Sequence, residues 1–237
     1  MSSKAGTAFD YVIVGAGSAG SVLAARLSED PDVRVLLLEA GPRDWNPMIH
    51  MPTGEIYTIG SKLDWKFESE PEPQLGGARL SLPRGKVLGG SSSINGQLYV
   101  RGHPHDYDDW RQQGNAGWAW ESVLPYFKRS ESWNGKSQPE RGTGGPLRTS
   151  FGRYRNGLFD AFMEAGKQAG YRVTADYNSG EPDGFAWSQF THTHRFPLRC
   201  SAARAYLSSQ HELRRLTPDR DGLAGQRLDG LVRLVGK

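Results

Sequence analysis

The hydrophobic pattern opens with an unbroken block. Tyr11-Val12-Ile13-Val14, preceded by Phe9-Asp10, is apolar and β-branched with no alternation, the pattern of a parallel strand covered on both faces. A run of small residues follows, Gly15-Ala16-Gly17-Ser18-Ala19-Gly20. Ala19, Val22, Leu23 and Leu27 then recur at helical spacing, which predicts a helix with that stripe turned inward. Asp30-Pro31 ends it, because proline pushes the preceding residue out of helical geometry. Val33 to Leu38 is a second apolar block, closed by Glu39. The opening therefore predicts a strand–helix–strand unit entered through a glycine turn, and with it an α/β fold.

Further along, the pattern is less regular. Leu98-Tyr99-Val100 has strand character, and Trp110 to Phe127 is rich in aromatics at mixed spacing, which predicts short packed helices. The stretch 134–150 is dense in Gly, Pro, Ser and charge, so it reads as loop. Leu158, Phe159, Phe162, Met163 and Ala169 form an amphipathic helix that stops at Gly170, a plausible C-terminal cap. Ser201-Ala202-Ala203-Arg204-Ala205-Tyr206-Leu207 is a helix of small residues.

Each glycine of the first turn has a physical task. Gly15 permits the sharp turn, Gly17 lets a pyrophosphate approach the backbone, and Gly20 lets helix and strand pack closely. The helix N-terminus then offers N–H groups and positive dipole to phosphate. Glu39 lies where a carboxylate accepts hydrogen bonds from ribose hydroxyls, and an acid there disfavours a 2′-phosphate. Strand, turn, helix and acid together indicate a Rossmann-like dinucleotide site, with NAD and FAD both open.

A second glycine-rich run spans Pro83-Arg84-Gly85-Lys86-Val87-Leu88-Gly89-Gly90-Ser91-Ser92-Ser93-Ile94-Asn95-Gly96. Its backbone can approach a flat polar ligand and its hydroxyls and amide can hydrogen-bond one. Val87, Leu88 and Ile94 anchor it, unlike a flexible linker. From Gly85 to Asp108 the chain resembles the first signature of the glucose–methanol–choline (GMC) family of FAD-dependent oxidoreductases. Leu38-Glu39-Ala40-Gly41, Asp106-Tyr107-Asp108-Asp109-Trp110, Gly117-Trp118, Val123-Leu124-Pro125-Tyr126-Phe127 and Gly144-Gly145-Pro146-Leu147 are similar to it as well. The likeness runs from Phe9 to about Leu207 and is strongest to the choline dehydrogenase and bacterial alcohol dehydrogenase branch.

The resemblance implies a Rossmann-like FAD-binding region over 8–207 with part of a substrate-side cap, the C-terminal half of the family fold being absent. It implies that Gly15, Ala16, Gly17, Ser18, Ala19 and Gly20 hold the pyrophosphate and that Glu39 with Ala40 meets the adenosine ribose. It places Val87, Gly89, Gly90 and Ser91 against the cofactor, runs Asn95, Gly96, Gln97 and Leu98 along the isoalloxazine edge, and sets Trp65 beside the cofactor or its lid. Some members tether FAD through a histidine in this loop; the matching position is Ile94, so FAD is expected to be non-covalent. The family's catalytic base is a histidine near the end of a chain more than twice this long. None of His50, His103, His105, His192, His194 and His211 matches it, so no catalytic residue is assigned.

Composition narrows the picture a little. Net charge is +3 and mean hydropathy −0.60; Lys and Arg are scattered among acids, which argues against a nucleic-acid partner. No apolar run approaches the roughly 18 residues of a membrane helix. Met1 to Thr7 has no secretory pattern and Cys200 is the sole cysteine, so the expected address is cytoplasmic, peripheral membrane association remaining open. Cys200 reads as packing. The pairs His103/His105 and His192/His194 lack the companions of a metal site. The tail 208–237 departs from the family pattern and reads as an atypical, unstructured end, from truncation or a shifted frame. Three functions compete: a GMC-type dehydrogenase of a small alcohol passing electrons to a quinone or other carrier, a non-catalytic remnant binding FAD weakly or not at all, and an NAD-dependent dehydrogenase, which has no use for the second loop.

Overall fold

The computed structural model describes residues 8–208 and the backbone of 231–235. Met1 to Thr7, His211 and most of the tail lie outside the described residues. The expected 8–207 region divides into two compact units, one up to Gly96 and from Ser201 onward, the other Gln97–Cys200.

The first unit begins as the pattern predicts, with strand β1 (Tyr11–Val14), helix α1 (Ser18–Leu27) and strand β2 (Arg34–Leu38). β1 and β2 pair in parallel, Tyr11 beside Val35 and Val14 beside Leu38. The strand Leu231–Val235, within the tail, runs antiparallel along the other edge of β2. Two short helices follow, α2 (Pro47–His50) and α3 (Glu55–Thr58), then a small hairpin of β3 (Phe67–Glu68) and β4 (Ser81–Leu82). Gly90–Ser93 forms a 3-10 turn and Ala203–Leu207 a π-helical turn.

Two expectations about this unit change. α1 does not bury Ala19 and Leu23; it buries Gly20, Ser21, Ala24 and Ala25, and Leu23 stays half exposed. The reason is distance, since a Cβ on Gly20 would stand 1.9 Å from the Gly15 carbonyl oxygen. Only small residues fit between helix and strands that close. Nor is β1 covered on both faces: Ile13 packs on the core of Ala16, Ala24, Val35, Leu37, Leu88, Ala203 and Leu207, while Val12 and Val14 are 57% and 83% exposed. β1 is the end strand of its sheet, and nothing among the described residues of this unit lies over its outer face. A second small core joins Ile49, Leu63, Val87 and Ile94.

The second unit holds α4 (Pro104–Gln112), α5 (Trp120–Ser130), β5 (Glu131–Trp133), β6 (Leu147–Phe151), α6 (Gly157–Gln168) and β7 (Gln189–Phe190). β5 and β6 are parallel, and β7 runs antiparallel to β6. Proline at the first position of α4 and the reciprocal His103/Asp106 capping box fix that helix start. The aromatics of α4 and α5 pack on each other, Tyr107 meeting Trp110, Trp120 and Phe127. α6 forms as predicted, with Gly170 left-handed at φ 87° just beyond it. Leu98-Tyr99-Val100 does not become a strand. It makes one bridge, Leu98 to Phe190, and a hydrogen bond from Tyr99 N–H to the Gln189 carbonyl.

What holds this unit is a buried set of charges. Glu131, fully buried, accepts from Arg101 (2.8 Å), the Arg141 guanidinium, the Thr149 hydroxyl (2.7 Å) and Gly142 N–H (3.1 Å). Arg141 also donates to Asp176 (2.8 Å) and Gln189, and lies 3.8 Å over the Trp133 ring. Arg101 and Arg141 balance Glu131 and Asp176, so the cluster is neutral. Removing one member strands its partners in a dry interior, which costs about 3–5 kcal/mol. Glu131→Ala should lose stability of that order in urea unfolding followed by tryptophan fluorescence; a loss below about 1 kcal/mol would refute the role.

Candidate functional site

The two glycine runs meet backbone to backbone. Gly89 N–H donates to the Ala16 carbonyl (2.8 Å), and a Cβ on Gly90, whose φ is +56°, would sit 2.7 Å from Gly17 Cα. Gly41 lies as close to Lys86 and Val87, and Gly85 to the Gly90 carbonyl. Glycine stands at these crossings because no side chain fits. Ser93 and Ser21 close the turns from within, their hydroxyls donating to the Leu88 (2.8 Å) and Ala16 (3.0 Å) carbonyls.

Glu39 joins the turn to the end of β2. One carboxylate oxygen accepts Ala16 N–H and the other Gly41 N–H, both at 2.8 Å, and the residue is buried, only 8% exposed. Each oxygen keeps a second acceptor position, so Glu39 shapes the turn and can still take ribose hydroxyls. Gly17 caps α1 without a side-chain hydrogen bond, which leaves first-turn N–H groups for a ligand.

These parts line one cleft of about 650 Å³, bounded by Val14, Gly15, Gly17, Ser18, Leu38, Glu39, Ala40, Trp65, Phe67, Arg84, Gly85, Gly90 and Ser91. That volume suits a cofactor site, which typically spans roughly 300–1,000 Å³. Of the residues expected at the cofactor, Gly15, Gly17, Ser18, Glu39, Ala40, Trp65, Gly90 and Ser91 are therefore brought together. Ala16, Ala19, Gly20, Val87 and Gly89 are not in the lining. Ala16 and Val87 are fully buried, and Val87 belongs to the Ile49 core. Asn95 continues the 3-10 turn, its N–H bonded to the Ser91 carbonyl, and Gly96 ends the first unit. Gln97 and Leu98 belong to the second unit; Gln97 is buried with φ 64°, and Leu98 is 60% exposed. Sequence reasoning missed Phe67 and Arg84. Phe67 stacks on Trp65 with centroids 5.8 Å apart and planes 7° off parallel, a pairing that their two-residue spacing could have signalled.

Asp64 sets this aromatic pair in place. It accepts N–H groups from Gly60 (2.9 Å), Lys66 (3.0 Å) and Arg84 (2.9 Å), and Trp65 N–H bonds the Arg84 carbonyl (2.8 Å). Lys86 Nζ stands 4.6 Å over the Trp65 ring. Burial pushes the Asp64 pKa up, but the three N–H donors and nearby Lys66 outweigh it and hold it below the usual value.

The histidine pairs have other work. His103 Nδ1 accepts His105 N–H at the start of α4 (3.0 Å), and His194 Nε2 bonds the Ser132 carbonyl (2.8 Å). His192 stacks on Phe190, with its pKa lowered by burial and then by Arg199 and Arg153. Cys200 is buried, its Sγ accepting Arg148 N–H (3.4 Å). No described helix is long and apolar enough to cross a membrane.

A βαβ unit opened by a glycine turn, with an acid at the second strand's end and a second glycine turn against the first, defines an α/β dinucleotide-binding fold. The chain belongs to the GMC oxidoreductase family, which it matches over residues 9–215. It is 52% identical over 200 residues to the oxygen-dependent choline dehydrogenase of Brucella ovis, covering 84% of this chain and 36% of that protein. Its fold matches pyridoxine 4-oxidase from Mesorbium loti, with a TM-score of 0.80 and 38% identity over 85% of this chain and 40% of that one. It also matches an FAD-dependent oxidoreductase from Chaetomium thermophilum, with a TM-score of 0.77 and 32% identity over 84% and 36%. The chain thus spans little more than a third of the length of these relatives.

The Asp64 arrangement makes a pH prediction. A carboxylate with a lowered pKa adds stability above the unfolded value of about 3.9 and loses it as pH falls through the folded value. Asp64→Asn should cost roughly 2 kcal/mol at neutral pH. The gap to wild type should narrow below about pH 4, followed by urea melts at a series of pH values; a gap constant from pH 7 to pH 3 would refute it.

Proposed function

We propose that this chain is the cofactor-holding part of a GMC-type oxidoreductase that oxidises the CH–OH group of an alcohol, choline or another small primary alcohol. The observation that carries the reading is the single cleft in which the Gly15–Ser18 turn, Glu39 and the Gly90-Ser91 turn converge. The residues fit FAD: glycine at the close approaches, uncapped helix N–H groups for a pyrophosphate, an acid with spare acceptors for ribose hydroxyls, and a flat aromatic pair at the rim. When bound, FAD supplies the acceptor for the hydride leaving the alcohol carbon.

This chain's residues bind and orient; the proton-accepting base is not assigned to any of them. Ile94 is 2% exposed within the Ile49 core and carries no nucleophile, which supports non-covalent binding. The cytoplasmic address expected from the sequence belongs to this proposal. A quinone or similar carrier is the proposed electron acceptor, by analogy with dehydrogenases of the family.

The test is flavin retention. Protein purified with FAD should hold a yellow chromophore that is released unmodified on denaturation, and Glu39→Ala should weaken FAD binding at least tenfold, or about 1.4 kcal/mol. Bleaching by choline or a simple alcohol would establish turnover. A yellow protein inert to alcohols indicates a binding module alone, and a folded, colourless protein overturns the reading.

A further inference from the structure

Three asparagines in this chain are followed directly by glycine: Asn95-Gly96, Asn134-Gly135 and Asn156-Gly157. In such a pair the backbone nitrogen of the second residue can attack the asparagine carboxamide. Glycine, with no Cβ and a wide conformational range, obstructs that attack least. The fold treats the three pairs differently. Asn156 is the N-cap of α6; its Oδ1 accepts Leu158 N–H (3.0 Å) and its Nδ2 donates to the Tyr154 hydroxyl (3.2 Å). Both ends of that carboxamide are held in a stabilising cap. Asn95 is tied into the 3-10 turn by its N–H on the Ser91 carbonyl (2.9 Å), next to buried Ile94. Asn134 is exposed. Its side chain makes no hydrogen bond among the described residues, and neither does Gly135 N–H. Both groups that must react are unengaged.

We propose that Asn134 is a site of spontaneous covalent modification, deamidating through a succinimide formed with Gly135, with water as the co-reactant. The Gly135 nitrogen bonds to Asn134 Cγ while the Cγ–Nδ2 bond breaks, and the Gly135 amide proton leaves with Nδ2 as ammonia. Water then opens the ring, and nothing is oxidised or reduced. Opening at Cγ leaves aspartate; opening at the backbone carbonyl leaves isoaspartate, whose main chain is longer by a methylene. The surroundings make the second product costly. Asn134 N–H holds the Thr149 carbonyl (3.0 Å), and the Trp133 indole Nε1 donates to the Lys136 carbonyl (3.1 Å). Trp133 is buried, with Arg141 of the Glu131 cluster 3.8 Å over its ring. A Cβ on Gly135 would stand 2.4 Å from the same ring, so packing fixes glycine at the reactive position. An extra methylene between the two anchors pulls the Lys136 carbonyl off the indole N–H and strands a buried donor. This inference does not depend on the cofactor reading.

The experiment ages the full chain in heavy-oxygen water at neutral and mildly alkaline pH. Peptides are then mapped by mass spectrometry with fragmentation that separates isoaspartate from aspartate. Both products, carrying solvent oxygen, should accumulate at Asn134 roughly tenfold faster than at Asn156, whose cap must first break. Accumulation should be faster at the higher pH, where more of the Gly135 nitrogen is deprotonated for attack. In urea, where the α6 cap is lost, the two rates should converge. Asn134→Gln, at an exposed position, should fold as wild type and stay unmodified there, because its longer side chain needs a larger ring. Aged wild type should show an unfolding equilibrium constant about tenfold larger by tryptophan fluorescence, and aged Asn134→Gln no change. Equal rates at Asn134 and Asn156 in the folded chain overturn the proposal, as does an absence of product at Asn134. A rate ratio that persists in urea assigns the difference to neighbouring sequence and overturns the role of the fold. Modification at Asn134 with no change in the unfolding constant overturns the consequence drawn for the Trp133 loop.

Discussion

The first unit depends on two glycine turns lying against each other with no side chain between them. Gly17 and Gly90 approach so closely that a methyl on Gly90 would reach the other backbone. The Gly89–Ala16 hydrogen bond locks the pair. This contact decides the rest locally. It brings a segment more than seventy residues downstream against the start of α1 and places Ser91 and Ser18 in the lining of one cleft. It also requires a thin helix face, and α1 supplies one by burying Gly20, Ser21 and Ala24. An alanine at Gly90 would clash with backbone and strain a left-handed conformation at once, so the sequence has little freedom there.

Two buried carboxylates show how structural and ligand-binding acids can be told apart. Glu131 is saturated: two arginines, a threonine hydroxyl and a backbone N–H take its acceptor positions. It has nothing left to offer a ligand. Glu39 takes two backbone N–H groups and opens on the cleft, so it retains acceptor capacity where a ribose would lie. Burial is similar, and the difference lies in what remains unspent. Arg101 and Arg141 likewise spend their donors inside the second unit, Arg101 on Glu131 and the Glu140 carbonyl and Arg141 on Glu131 and Asp176. Arg84 lines the cleft, with one guanidinium N–H donating to the Pro83 carbonyl (2.7 Å).

Much of the site could be read from sequence because glycine has few other reasons to recur at fixed spacing between a strand and a helix. The order β1–α1–β2, the position of Glu39 and the helix ending near Gly170 all follow from local chemistry. The misreadings come from tertiary context. The periodic pattern of α1 highlights its larger residues, whereas the tight helix–strand approach selects small ones, so Leu23 is left outside. Leu98-Tyr99-Val100 has the composition of a strand, but that segment makes one bridge and turns through Gln97 at positive φ. Phe67 and Arg84 reach the cleft through the Asp64 turn, a fold-back held by three N–H groups converging on one carboxylate. No periodicity in the sequence announces such a node.

The open cleft and the open strand are linked through β1. Val14, at its C-terminal end, is the most exposed of its residues and lines the cleft beside Leu38, whereas Val12 and Tyr11 lie beyond the cleft. A dinucleotide seated on the Gly15 turn would cover the first kind of exposure and neutralise the uncapped N-terminus of α1, so binding contributes directly to the stability of this unit. It would do nothing for the second kind. The strand therefore shows two kinds of exposure along four residues, one on the cleft, where a cofactor would lie, and one away from it. A ligand would give the α1 N–H groups an anion and leave the exposure of Tyr11 and Val12 as it is.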